Sequence, residues 1–165
     1  MTEQERLQRN TERLQELNAL FAARVKSVLD CLEARGLRPR IQDAWRSPAA
    51  QLQAYLSGHS KLRFGFHNVT DAAGKPAALA ADILDDDAPT APAHAFLLQL
   101  AALAEQADLS SGIRWGLPLA FASAIDTAIA AQDWQANVKI GWDPTHVETR
   151  AVTVAQARAG QRPLS

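Results

Sequence analysis

A chain of 165 residues, 47% of them hydrophobic, is long enough for one domain with a sizeable apolar core. Its formal net charge of −1, with no long Lys/Arg run, excludes general electrostatic binding to nucleic acid or anionic lipid. The single cysteine, Cys31, excludes an internal disulfide, and we interpret it as a small packing residue.

From the sequence we expect neither a secretory leader nor a membrane-spanning segment. Residues 1–10 are polar and charged, and the apolar stretch 91–104 is too short and too interrupted to cross a bilayer. We therefore expect a monomer made in the cytoplasm without a signal peptide, with no nucleic-acid partner and no membrane insertion.

The N-terminal part of the chain is predicted to be helical. A capping-box pattern at residues 2–5 precedes apolar residues that recur at helical spacing up to Leu32. Asn10 or Asn18 can divide this stretch into two helices, and Gly36 is expected to end it.

A short strand and a second helical region are predicted next. Residues 40–45 fit a short strand. Ser47 as N-cap and Pro48 as first helical residue then predict a helix up to Leu56. Residues 61–76 are rich in Gly, Asn, Asp and Pro and are predicted to form a loop.

Residues 77–84 are apolar, and their Ala and Leu content by itself favours a helix. The acidic run 85–87 is expected to be a solvated loop rather than a second metal site. Residues 92–107 are predicted to form a helix with one apolar face.

The C-terminal part of the chain is more irregular. Residues 110–118 are rich in turn formers, 120–131 fit a helix, and 138–147 resemble a strand with an irregular middle. The tail after Arg150 carries no strong signal.

Two of the four histidines lie near aspartates in patterns that suggest a metal site. His67 precedes Asp82, and His146 follows Asp143 by three residues. A catalytic zinc ion is typically held by three protein ligands of N and O type, and a nearby free carboxylate can take a proton from its water. Histidines and aspartates that only satisfy turns and strand ends show the same spacings, so both interpretations stay open at this point.

Several short motifs follow one another in a fixed order. They are Ala44-Trp45-Arg46-Ser47-Pro48 with Gln51, Gly65-Phe66-His67-Asn68, Ala78 to Ile83 with Asp82, Trp115-Gly116, and Asp143-Pro144-Thr145-His146. From about Arg9 to Arg150 this order resembles the zinc DD- and LD-peptidase family with the Hedgehog/DD-peptidase fold. The signature of that family is S-x-H-x-x-G-x-A-x-D, followed far downstream by E/D-x-x-H.

The resemblance implies a single zinc peptidase domain over residues 1–165. Its fold would be α+β, with a small antiparallel sheet that carries the zinc site and packs against several helices. Residues 77–84 would then be the strand that delivers the aspartate, against their own propensity. The implied roles are zinc ligation by His67, Asp82 and His146, general base catalysis by Asp143, catalysis or substrate binding by Arg46, and substrate binding by Gln51 and Trp115.

The sequence departs from the family pattern at two places. His67 and Asp82 are fifteen residues apart rather than seven, so we interpret residues 69–77 as a loop insertion that could also reshape the cleft. Gly65 stands where the family has a serine, which affects substrate contact more than zinc binding.

The resemblance also implies the substrate, since the family cuts peptidoglycan stem peptides. We expect cleavage between L-Ala and D-Glu, with removal of a terminal D-Ala as the alternative. The protein would act on the cell wall after release through a holin, as in phage lysis, or through a secretion system. Alternatives from other classes are a non-catalytic, zinc-stabilised binding module of the same fold and an unrelated helical interaction protein.

Overall fold

The computed structural model describes residues 1–163 and has the α+β architecture that the sequence motifs imply. The helices are α1 (Glu3–Leu14), α2 (Ala19–Ala34), α3 (Pro48–Leu56), α4 (His94–Gln106), α5 (Leu119–Ala130) and α6 (Val154–Arg158). The strands are β1 (Pro39–Asp43), β2 (Ala80–Asp85), β3 (Leu109–Ser111) and β4 (His146–Thr149). All strand pairs are antiparallel, and the order in the sheet is β1-β2-β4-β3.

The predicted caps set the bounds of the first three helices. The capping box at Thr2 is present, and Asn18 accepts hydrogen bonds from the first backbone amides of α2. Asn10 does not break α1, because its buried side chain instead bonds the backbone of β1. Ser47 caps α3, and Gly36 follows α2 in the left-handed conformation at φ 77°.

Strand β2 forms although its residues favour a helix. It lies between β1 and β4, so both of its edges are hydrogen-bonded. Ala80, Ala81 and Ile83 are fully buried. The two small alanine side chains let neighbouring layers approach the strand closely. Tertiary packing therefore overrides local propensity here.

Helix α4 is buried on nearly all sides rather than on the single face expected from its sequence. It packs against α2, α5 and β3, and every residue from Phe96 to Ala104 is buried. Its alanines explain this, because they leave room for neighbours around the whole helix. The hydrophobic core therefore centres on α4 and the face of the sheet turned toward it.

The predicted strand over residues 138–147 is wrong for most of its length. Residues 138–145 have no ladder partner, and β4 begins only at His146. The irregular segment bonds instead to the turn after β3, with Gly141 N donating to Ile113 O at 2.7 Å and Trp142 N to Trp115 O at 3.1 Å.

Two elements had no prediction of their own. Strand β3 overlaps the first two residues of the segment 110–118 that was predicted as turns, and α6 lies in the tail that showed no strong signal. A capping box of Thr153 and Gln156 starts α6, so a usable signal was present in the sequence.

Two further sequence interpretations are corrected by the structure. The acidic run is only partly a solvated loop. The Asp87 side chain is 61% exposed, but that of Asp86 is 3% exposed and lies 2.9 Å from Arg40 Nε and 3.3 Å from Arg38 Nη2. Cys31 lies exposed on α2 and is not a packing residue. Over residues 1–163, the helices are too short or too polar for a membrane crossing.

Arg6 ties α1 to the rest of the domain. Its side chain is 2% exposed and donates to Glu33 at 2.9 Å and to the Pro39 carbonyl oxygen at 2.6 Å. Because its charged hydrogen bonds are shielded from water, Arg6→Ala is expected to lower the free energy of unfolding by about 2 kcal/mol. Urea unfolding of the metal-free protein measures this.

A matched control for Arg6 lies on the same helix. Arg13 pairs with Glu16 at 2.8 Å, but both side chains are 28% exposed. Arg13→Ala should therefore cost less than about 1 kcal/mol. Equal losses in the two variants would contradict the role given to Arg6.

Candidate metal centre

The sheet brings two of the predicted ligands directly opposite each other. Asp82 on β2 pairs with His146 on β4 in the strand register. Cross-strand neighbours point to the same face of a sheet, so both side chains stand on the face opposite to the fully buried Ala81 and Val147. His67 reaches the same place from a short 3-10 helix, Phe66–Asn68, that packs beside β2.

The three side chains form one cluster with spacings that suit a small cation. Their ligand atoms all lie within 4.8 Å of one another. Asp82 Oδ1 is 3.0 Å from His146 Nδ1 and 3.6 Å from His67 Nε2. Zinc bonds of about 2.0–2.1 Å in a tetrahedron put neighbouring ligand atoms about 3.3 Å apart. Two imidazoles and one carboxylate therefore fit a zinc-type centre in both chemistry and spacing.

Backbone hydrogen bonds orient His67 toward this cluster. Its Nδ1 lies 2.5 Å from the Ala44 carbonyl oxygen, which leaves Nε2 facing Asp82. The His67 carbonyl oxygen accepts from Arg46 N at 2.8 Å, and Phe66 O accepts from Leu79 N at 3.0 Å. A ligand histidine whose other nitrogen bonds a carbonyl is typical of protein metal sites.

The electrostatics of the cluster reflect its burial. Burial by itself would raise the pKa of Asp82, but hydrogen bonds and charge from His146 and His67 hold that pKa well below its usual range. Burial by itself would lower the pKa of His146, yet its bonds to Asp82 and Glu148 raise it to about 10. These contacts favour the protonated form of His146 in the metal-free protein, so metal binding would compete with a proton for this ring.

Asp143 lies beside the cluster without joining it. Its Oδ2 is 4.0 Å from His146 Nδ1, and the side chain is 30% exposed. Burial raises the pKa of Asp143 above its usual value, the charge on His146 opposes this, and the nearby Asp82 carboxylate adds to the rise. A partly buried carboxylate with a raised pKa next to a possible metal ion is suited to accept and return a proton.

Two glycines let the segment that carries Asp143 approach the turn after β3. A Cβ atom at Gly112 would collide with the carbonyl oxygen of Asp143, and one at Gly141 would lie 2.6 Å from the carbonyl oxygen of Ile113. Together with the backbone bonds of residues 141 and 142, this close approach fixes the position of Asp143 although it belongs to no helix or strand.

The cluster lies at one side of a cleft of about 550 Å³. Trp115 and Trp142 form part of its wall, with ring centroids 5.6 Å apart, and the Trp115 ring lies 5.1 Å from that of His146. Lys61 of the loop after α3 lies with its Nζ 4.5 Å from the centre of the Trp142 ring. Trp115 therefore packs beside the cluster of candidate ligands and also faces the cleft.

Arg46 and Gln51 are both present in the cleft wall but in different settings. Arg46 bonds Asp43 and donates to Gln51 Oε1 at 3.0 Å, and its Nη2 lies 3.9 Å from Asp82 Oδ2. Gln51 is 2% exposed, and its amide nitrogen donates to Ser60 and Leu62. Gln51 thus holds Arg46 and the loop after α3 in place.

The insertion and the Gly65 substitution have different relations to the cleft. Residues 71–76 form an exposed turn that is closed by bonds to Asp71, and the residues that line the cleft lie outside 69–77. Gly65 lines the cleft, and a Cβ there would meet only Leu62 at 3.9 Å. The cleft therefore has room for a serine side chain at position 65, although this chain has a glycine there.

Sequence reasoning gave no role to Glu148 or Lys61, although both line the cleft. Glu148 Oε2 lies 3.1 Å from His146 Nε2. The two-residue alternation of a strand places Glu148 on the face of His146. This signal was hidden because the strand was predicted to end at residue 147 instead of starting at 146.

The fold is similar to that of one solved endopeptidase. The crystal structure of the Serratia marcescens L-Ala D-Glu endopeptidase ChiX superposes with a TM-score of 0.54 and 15% sequence identity, over 86% of this chain and 86% of that chain. No protein-family model and no curated protein sequence matches this chain. At this identity the likeness establishes the fold.

Proposed function

We propose that the chain is a zinc peptidase that cuts peptidoglycan stem peptides between L-Ala and D-Glu. The observation that carries the proposal is the cluster of His67, Asp82 and His146 in a cleft, with Asp143 beside it. The fold similarity to an endopeptidase for that bond supports the choice of substrate.

In this proposal His67 Nε2, Asp82 and His146 hold the ion, and the other side chains act on the substrate. A zinc ion held there would supply a water of pKa about 7 and polarise the scissile carbonyl. Asp143 accepts the proton of the attacking water and returns it to the leaving amine. Trp115 contributes an aromatic wall against which the peptide can pack.

Arg46 is proposed to bind a carboxylate of the substrate. A planar guanidinium suits a carboxylate, and in a stem peptide the D-Glu residue carries a free α-carboxylate when its γ-carboxyl forms the next peptide bond. Gln51 and Asp43 hold the guanidinium at the cleft wall. Gln51 then supports substrate binding through Arg46.

Substitution of Arg46 tests this role. Arg46→Met is expected to lower kcat/KM about tenfold to a hundredfold on a peptide with a free α-carboxylate, because one charge-assisted interaction is lost. A peptide amidated at that carboxylate should be cut equally by the variant and the wild type. Steady-state kinetics on both peptides measure this. Equal losses on both peptides would contradict it and place Arg46 on the developing oxyanion.

A second candidate is removal of a terminal D-Ala. The same Arg46 side chain suits the terminal carboxylate of such a substrate. A third candidate, of another class, is a zinc-stabilised binding module. The presence of Asp143 next to the cluster favours an enzyme over such a module.

The decisive experiment combines metal analysis with digestion of purified muropeptides. Elemental analysis of the purified protein should give about one zinc per chain and no comparable iron. Mass spectrometry should then show fragments split between L-Ala and D-Glu. Loss of a single alanine from the C-terminus would support the carboxypeptidase instead. Zinc without any product would support the binding module, and failure to bind zinc would overturn the metal site.

A further inference from the structure

The two nitrogens of His146 face different carboxylates. Nδ1 lies 3.0 Å from Asp82 Oδ1, inside the cluster of possible ligands, whereas Nε2 lies 3.1 Å from Glu148 Oε2. The His146 side chain is 10% exposed, so both contacts are largely shielded from water. The ring orientation thus leaves Nδ1 as the nitrogen that faces the other ligands.

Glu148 lies on the far side of this ring from the cluster. Across the part of the chain that the structure describes, the mutually close ligand atoms belong to His67, Asp82 and His146, and Glu148 is outside that group. Its side chain is 24% exposed. A direct ligand role for Glu148 is therefore not favoured, and a role through His146 is.

We propose that Glu148 is a positioning residue, which accepts a hydrogen bond from His146 Nε2–H and so keeps Nδ1 turned toward the metal. The inference rests on the proposed metal site but not on any particular substrate. The Nε2–H···carboxylate bond fixes the tautomer and the ring plane and makes Nδ1 a more basic ligand.

The two histidines would then be oriented in opposite ways. His67 bonds a neutral backbone carbonyl through Nδ1 and offers Nε2. His146 bonds a carboxylate through Nε2 and offers Nδ1. The carboxylate adds a negative charge next to the site, so its removal should weaken metal binding.

The first test measures zinc affinity by competition with a chromophoric chelator at fixed pH. Glu148→Ala should bind zinc about tenfold to a hundredfold more weakly than the wild type. Glu148→Gln keeps an oxygen acceptor and should recover part of the loss. Glu12→Ala removes an exposed carboxylate from α1 and should leave the zinc affinity unchanged. An unchanged zinc affinity in Glu148→Ala would overturn the inference.

The second test assigns the tautomer by long-range ¹H–¹⁵N NMR of the zinc-loaded protein. His146 is expected to carry its proton on Nε2, and His67 on Nδ1. A proton on Nδ1 of His146 would overturn the inference even if the protein cuts peptides. Conversely, the expected tautomer and affinity loss in a protein that cuts no muropeptide would support the inference while the peptidase proposal fails. A wild type that binds no zinc would overturn both.

A structural role alone would change stability instead. The metal-free Glu148→Gln variant is expected to lose only the strength of its one hydrogen bond to the His146 ring and to keep a cooperative urea unfolding transition. A metal-free variant that has lost this transition would owe its weaker zinc binding to unfolding and would contradict a positioning role.

Discussion

Asp143→Asn is expected to reduce kcat by about a thousandfold while zinc stays bound. Asn keeps the size of the side chain but cannot take a proton, and general base catalysis typically contributes 10²–10⁴-fold. Asp143 is 4.0 Å from His146 and lies outside the ligand cluster, so the metal should remain. Hydrolysis of a defined stem peptide gives kcat, and elemental analysis gives the zinc content.

The control for this variant is Asp30→Asn. Asp30 lies exposed on α2 and pairs only with Lys26 among the ion pairs of residues 1–163. It should retain full activity and full zinc content. An unchanged kcat in Asp143→Asn would show that another group takes the proton. Loss of zinc together with activity would show that Asp143 is a metal ligand.

His67→Ala is expected to abolish both zinc binding and activity. It removes one of three ligands and leaves Asp82 with one histidine partner, so the loss of affinity should exceed the 10–100-fold that is typical when only an outer partner of a ligand is removed. The zinc content after dialysis and the rate of peptide hydrolysis measure the two losses together.

His94→Ala is the matched control, because His94 is exposed at the start of α4. It should retain zinc and activity. A His67→Ala protein that still carries one zinc per chain would contradict the ligand set. Loss of activity with zinc retained would move His67 from ligand to substrate contact.

The helix bounds could be predicted from the sequence because short-range chemistry sets them. Thr2, Asn18 and Ser47 each satisfy free backbone amides at a helix start, and such bonds involve residues only two or three apart. The left-handed glycine at position 36 acts over the same range. These capping signals do not depend on how distant parts of the chain fold.

The strands were harder because long-range packing decides them. Ala80 and Ala81 favour a helix alone, and only pairing with β1 and β4 makes them a strand. Conversely, residues 138–145 look like a strand but bond to the turn after β3. Neighbours in sequence predict neither the strand β2 nor the irregular backbone of residues 138–145. The strand was predicted only from the resemblance to a known family.

The candidate site was predicted as a set of residues but not as a geometry. The motif order identified His67, Asp82, His146 and Asp143, which the structure brings together. The contact between Glu148 and His146 required the true start of β4. The engagement of Gln51 with Arg46 and the loop after α3 required the tertiary fold.

The direct pairing of Asp82 with His146 makes the candidate metal site depend on strand alignment. A shift of β4 by one residue would turn His146 toward the core and bring Val147 out to the cleft. An ion that binds only the aligned sheet stabilises it selectively, by about 4 kcal/mol at a thousand times its Kd. Zinc supplied during refolding would therefore favour the correct strand register over a shifted one. The fraction of chains that bind zinc would then report the fraction whose strands are correctly paired.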